Sequence, residues 1–178
     1  MSSSVIIPHS VFESLKTTYL LEYRLEDVRA SFKSDVKISL NEIKIDAKEG
    51  DILQLPRWLA KILLKKNLID IEDYEISSYV SKAMNRERIS KPHDLSGVDA
   101  DFYIRVNDFL DSLSEKERES LMVSLNSFVT SRVEKIVKLA AASPLSAEIE
   151  SKLSAEERQF YNIVHNSSSA FRESVFHR

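Results

Sequence analysis

The chain has 178 residues, 43% of them apolar, enough for one ordinary globular domain or two small ones. Lys+Arg 25 against Asp+Glu 28 gives a formal net charge of -3, so no global positive field gathers nucleic acid or an anionic membrane, and any such contact must be local. The lack of cysteine excludes disulfides, thiolate metal sites and a cysteine nucleophile, and two glycines, Gly50 and Gly97, leave no glycine-rich phosphate loop or dinucleotide fingerprint.

The N-terminal "MSSSVIIPHSVFES" has no basic segment followed by a long apolar one, and no stretch approaches the roughly 18 apolar residues of a spanning helix. A soluble, unprocessed intracellular protein is expected. Pro8 suits the first turn of a short lead-in helix with Val11, Phe12 and Leu15 on one side. From Tyr19 to Ala47, "YLLEYR", "DVKISL" and "IKIDA" alternate apolar and polar residues, which predicts short antiparallel strands. "KEGD" at 48–51 is a turn in which Gly50 supplies a positive φ, and Pro56 then opens a helix, "PRWLAKILLKK". On that helix Trp58, Leu59, Ala60, Ile62, Leu63 and Leu64 cover roughly two thirds of the circumference, more than one core-facing stripe needs. Cover on two sides is therefore expected, with Trp58 packed on the small sheet. Arg57, Lys61 and Lys65, four apart, with Lys66 beside them, form a basic ladder on the remaining strip. It either contacts nucleic acid or is simply solvated. "LIDI" reads as a closing strand.

Beyond Glu72 the period is helical. Ile76, Val80, Ala83 and Met84 form one stripe, and "NRERISKPHDLSG" is the best loop candidate. Phe102, Val106, Phe109, Leu110 and Leu113 form a second stripe, and Ser114 with Glu117 makes a capping box that opens a long third helix, ended by Pro144. Ser154 and Glu157 make another box before a final helix carrying Phe160, Val164, Ser167, Ser168, Phe171 and Val175. The expectation is an α+β chain: a small N-terminal β-rich domain over residues 1–72, then an all-α helical bundle domain over residues 73–178. Met122, Val133 and Leu139, then Tyr161, Ile163 and Phe176, broaden the apolar faces of the last two long helices beyond one stripe, so part of that surface is expected to meet another chain.

Site chemistry is sparse. The histidines at 9, 93, 165 and 177 are scattered with no paired metal ligand, and His165 reads as a surface or core-rim residue. The carboxylate pairs Asp108 with Asp111 and Glu156 with Glu157 read as solvated helix faces. No serine-nucleophile motif is present, so neither catalysis nor a metal or cofactor is expected. For nucleic acid the only candidates are the 57–66 strip and a loop with Arg86, Arg88 and Lys91, neither interleaved with aromatic residues.

The run from Gly50 through "LQLPRWLAKIL" resembles the small β-domain of subunits of the GINS replication complex, with Gly50, Pro56, Trp58, Ala60 and Leu63 on the family's positions. "SRVEKIVKLAAAS" and "KLSAEERQFYNIV" are similar to the helical GINS domain, through Arg132, Lys135, Ile136, Leu153, Glu156, Glu157, Phe160 and Tyr161. Arg57 departs from the pattern, standing where many relatives carry an apolar residue. With the small domain first, the resemblance implies a non-catalytic scaffold without cofactors, archaeal in type. It implies a 2:2 heterotetramer with a sister GINS subunit that joins the MCM helicase to a RecJ-like factor during DNA replication. DNA contact would be weak or indirect, there would be no membrane contact, and the location would be the archaeal cytoplasm and nucleoid, or the nucleus in a eukaryote. Arg132, Phe160, Tyr161 and Phe171 are the expected subunit contacts. The alternative class is a DNA-binding module using Arg57, Lys61, Lys65 and Lys66.

Overall fold

The computed structural model describes residues 9–40, 43–72 and 75–176. In chain order the elements are α1 (His9–Leu25), β1 (Asp27–Phe32), β2 (Val36–Leu40), β3 (Ile43–Ala47), β4 (Ile52–Pro56), α2 (Arg57–Lys65), β5 (Ile69–Ile71), α3 (Glu75–Ile89), α4 (Phe102–Ser112), α5 (Glu115–Ala142), α6 (Ala147–Glu150) and α7 (Ala155–Phe176). The class is α+β, and contacts group the chain into a β-containing unit, Leu20–Glu75, and a helical unit formed by residues 76–178 with residues up to Tyr19.

In the first unit, alternation does what it should. Val28, Ala30 and Phe32 turn one face of β1 inward, and β4 pairs antiparallel with Asp27 opposite Pro56 and Ser31 opposite Ile52. Beyond a bend, β2 and β3 pair with Val36 opposite Ala47. The register is unchanged across the bend, so the two pairings are halves of one hairpin ribbon. Gly50, at φ +88°, donates its N–H to Phe32 O at 2.8 Å and makes the bend on the returning strand, as the turn at 48–51 predicts. β5 pairs on the other side of β1, and α2 lies on the sheet with Leu59, Ala60 and Leu63 buried among Val28, Phe32, Leu55 and Ile69. α2 ends in a Schellman turn. Asn67 takes φ 57°, Leu68 N–H reaches Leu63 O at 3.1 Å, and Asn67 N–H reaches Leu64 O at 2.8 Å.

"YLLEYR" differs from expectation: it is the end of α1, not a strand. Apolar residues at 19, 20, 21, 23 and 25 satisfy either period, but only Tyr23 is buried while Leu21 and Leu25 are exposed, so no strand face is formed. The expected helix start at Pro8 and the side chains of Val11, Phe12 and Leu15 lie outside the described residues.

In the helical unit, α3, α4 and the first half of α5 share a core of Val80, Ala83, Phe102, Val106, Leu110 and Phe128. A second cluster of Ile136, Ala140, Leu153 and Tyr161 joins α5 to α7. Glu117 accepts from Ser114 N–H at 3.2 Å, completing the expected start of α5. α3 extends through "NRERI" to Ile89, so the loop begins later than its polar composition indicates.

Candidate assembly surface

The helical unit is organised by a charged cluster. Arg132, fully buried on the inner row of α5, uses all five guanidinium N–H groups. Nε and Nη2 clasp Glu157 of α7 at 2.5 and 2.7 Å. Nη1 donates to Glu87 of α3 and to Ser96 O, each at 2.8 Å, and Nη2 also donates to Lys152 O at 2.9 Å. One turn on, Lys135 meets the second Glu87 oxygen at 2.6 Å and donates to Ser90 Oγ at 2.5 Å. Ser96 N–H and Oγ–H donate to Glu87, while Tyr103 Oη–H and Ser154 N–H donate to Glu157. Two cations and two carboxylates cancel, and each is hydrogen-bonded, the condition under which buried charge is tolerated.

Burial opposes ionisation of Glu87, but Lys135, Ser96 and Arg132 outweigh it and hold the carboxyl below its ordinary value. Burial likewise opposes the charge on Arg132, and Glu157 and Glu87 more than restore it. Burial and the adjacent Glu157 push the Tyr103 hydroxyl well up, so it stays a donor.

These contacts set helix directions. Glu87 meets Arg132 and Ser90 meets Lys135, so α3 runs the same way as α5. Glu157 meets Arg132 and His165 meets Ala140, again at one offset, so α7 also runs with α5. Near the end of α5, Pro144 has no N–H to give Ala140 O, and His165 Nδ1 faces that carbonyl at 3.0 Å as the donor. Tyr161 Oη–H caps Ser143 O at 2.9 Å, and Arg172 reaches back to Ala141 O. A cation on the last carbonyls of a helix is also favoured by the helix dipole.

Several sequence expectations are corrected by this arrangement. Arg132 and Tyr161 are interior residues of their own chain, so they are not surface contacts; Phe160 is half-buried, and Phe171 remains exposed. Glu157 is buried, not part of a solvated face, because it serves both as the box residue of α7 and as the partner of Arg132. Arg57 does not stand on an outward ladder. It is 6% exposed, its guanidinium lies 4.3 Å from the centre of the Tyr23 ring, and it pairs with Glu26 at 3.7 Å. A cation at a helix N-terminus is disfavoured by the dipole, and Glu26 offsets this. Lys61 is half-buried, and only Lys65 and Lys66 are fully displayed. Trp58 packs on the sheet cluster but is partly exposed, as are Ile62 and Leu64.

The surface that takes their place was only partly visible in sequence. Val129, Val133 and Val137, spaced by four along α5, occupy the row beside Arg132, Ile136 and Ala140, and all three valines are exposed. At the end of α7, Phe171 is 69% exposed, Val175 53% and Phe176 79%. On another flank of α5 a groove of about 460 Å³ opens against α3, between Met84, Arg88, Val123, Ser127 and Phe128. Among the described residues there is no group of three or more metal-ligating side chains, and no helix is long and apolar enough to cross a membrane. Comparison with protein-family models and with curated protein sequences finds no match.

Proposed function

We propose that the chain is a non-catalytic scaffold subunit of the GINS type, built into a tetramer with a sister subunit and linking the MCM helicase to a RecJ-like factor. The observation that carries this reading is the exposed valine row of α5 together with the uncovered end of α7, in a unit whose own core is complete without them. The resemblance adds support. Gly50 stands at the one positive-φ glycine and Ala60 and Leu63 lie in the sheet core, while Arg132, Lys135 and Glu157 make the buried cluster. The departure at Arg57 fits as well, since this residue is buried against Tyr23 as an apolar one would be.

Capture of the tagged chain from nuclease-treated native lysate tests the proposal. Val133→Asp and Val137→Asp are expected to lose the sister subunit, because charge placed in an interface core is strongly disruptive. Lys61→Glu with Lys65→Glu is expected to keep it. The DNA-binding alternative gives the reverse pattern, in which the lysine reversals abolish a nuclease-sensitive interaction and lower its salt dependence while the valine variants change nothing.

A further inference from the structure

We infer that the outer edge of β4 receives an extended, uncharged segment of a partner protein as an added strand. The inference concerns the β-containing unit, and it rests on the scaffold reading only for the second contact that keeps the partner near.

The register fixes where each backbone group of β4 points. Phe32 N–H donates to Asp51 O at 2.9 Å, and Arg57 N–H donates to Glu26 O at 2.8 Å. With Ser31 opposite Ile52 and Asp27 opposite Pro56, hydrogen-bonded pairs recur at every second residue, so Leu53 and Leu55 turn their N–H and C=O toward β1. The other side of β1 uses the alternate residues: Glu72 N–H reaches Arg29 O and Lys33 N–H reaches Leu68 O, each at 2.9 Å. Ile52 and Gln54 therefore direct both backbone groups away from β1. β4 is the end strand of its sheet, and among the described residues no strand pairs with that outer edge.

Proteins guard such edges with charge, brevity or proline. β5 is three residues long and carries Asp70, paired with Lys33 at 2.7 Å, while β2 carries Lys37 and β3 carries Lys44 and Asp46. β4 has no charge from Ile52 to Pro56, and its one guard is the proline that ends it. Ile52 on the outer face is 48% exposed, and Leu53 on the inner face 36%. N–H and C=O groups repeating two residues apart are matched by another extended backbone, and an apolar side chain bared on each face calls for neighbouring apolar residues on that backbone. Ile52 and Gln54 offer two N–H and two C=O groups in all. So short an edge does not supply the roughly 800 Å² that each of two folded copies gives to a standard interface. A flexible segment of a partner already held elsewhere needs less, because its effective concentration is high.

The test is hydrogen exchange read at single residues by mass spectrometry with electron-transfer fragmentation. It compares the purified chain with the tagged chain captured from nuclease-treated native lysate. In the purified chain, Leu53 and Leu55 N–H are expected to be protected while Ile52 and Gln54 exchange freely, and capture is expected to slow the latter two about ten-fold or more. Gln54→Pro removes only an outward donor, which an edge strand tolerates, so it is expected to keep the β1 ladder protected and to abolish the slowing at Ile52. Ile52→Lys, a guard charge, is expected to abolish the slowing at Gln54. Protection of Ile52 and Gln54 in the dilute purified chain means that its own residues cover the edge, and protection that grows with its concentration means that a second copy does. Either result overturns the inference, as does exchange unchanged on capture or slowing that survives both variants. If exchange is unchanged while the sister subunit and the helicase are in the eluate, the scaffold reading stands and only the added strand is lost. A chain recovered alone overturns both. Slowing at both residues with neither of those partners present keeps the added strand and removes the scaffold.

Discussion

Replacing Arg132 by methionine keeps most of the side-chain volume and removes five hydrogen bonds from the interior of the helical unit. Glu87 keeps Lys135 and Ser96, and Glu157 keeps Tyr103 and Ser154, but Ser96 O and Lys152 O each lose a charged donor. Removing one partner of a buried ion pair costs about 3–5 kcal/mol, a large share of the roughly 5–15 kcal/mol that holds a typical domain. With a urea dependence near 2 kcal/mol per M, the helical transition followed by circular dichroism is expected to move down by about 2 M. Adding Glu157→Gln removes the stranded carboxylate, so the double variant is expected to be more stable than the sum of the singles by about 1–3 kcal/mol. An Arg132→Met chain within about 1 kcal/mol of wild type, or strict additivity with Glu157→Gln, would refute the reasoning that this cluster holds α3, α5 and α7 together.

Acid should weaken the same cluster. A carboxyl whose folded pKa lies below its unfolded value contributes stability at every pH above the unfolded value, and loses it as pH falls through the folded one. For Glu87, with an ordinary value of 4.5, stability is expected to hold on the neutral side and to decline below that point. Urea titrations at stepped pH check this, with Glu87→Gln expected to be less stable at neutral pH and to show a shallower acid decline. In the β-containing unit, Leu63→Ala is expected to cost about 2–5 kcal/mol, while Ile62→Ala beside it, 45% exposed, costs under about 1 kcal/mol. Equal melting of the two variants would place Leu63 outside the sheet core.

What the sequence made legible followed from local periodicity. The hairpin strands, the four long helices after residue 72, both capping boxes and the Gly50 turn are all carried by residues within a few positions of one another. The losses at the charged cluster and at Arg57 came from partners far apart in the chain, whereas "YLLEYR" was lost to a local pattern that fits either period. Arg57 completes a ladder with Lys61 and Lys65 by spacing alone, and nothing nearby shows that Tyr23 and Glu26 come round to cover it. Glu87 and Glu157 lie 45 and 25 residues from Arg132, beyond the reach of any helical period. One local signal was available. Arg132 and Lys135 interrupt the row of Leu125, Phe128, Ile136 and Ala140, and an ionisable residue inside an apolar row is either an interface residue or a buried pair. In the same way, the box with Ser154 accounted for Glu157 so fully that its second partner was hidden.

The most direct test of the scaffold reading is the native mass and composition of the tagged chain isolated from its own cells in mild salt with nuclease. Four chains, two of them this one and two a sister subunit, with helicase subunits in the same eluate, is the expected result. A bare 20.4 kDa chain, or one whose only companion is nucleic acid lost on nuclease treatment, would contradict it.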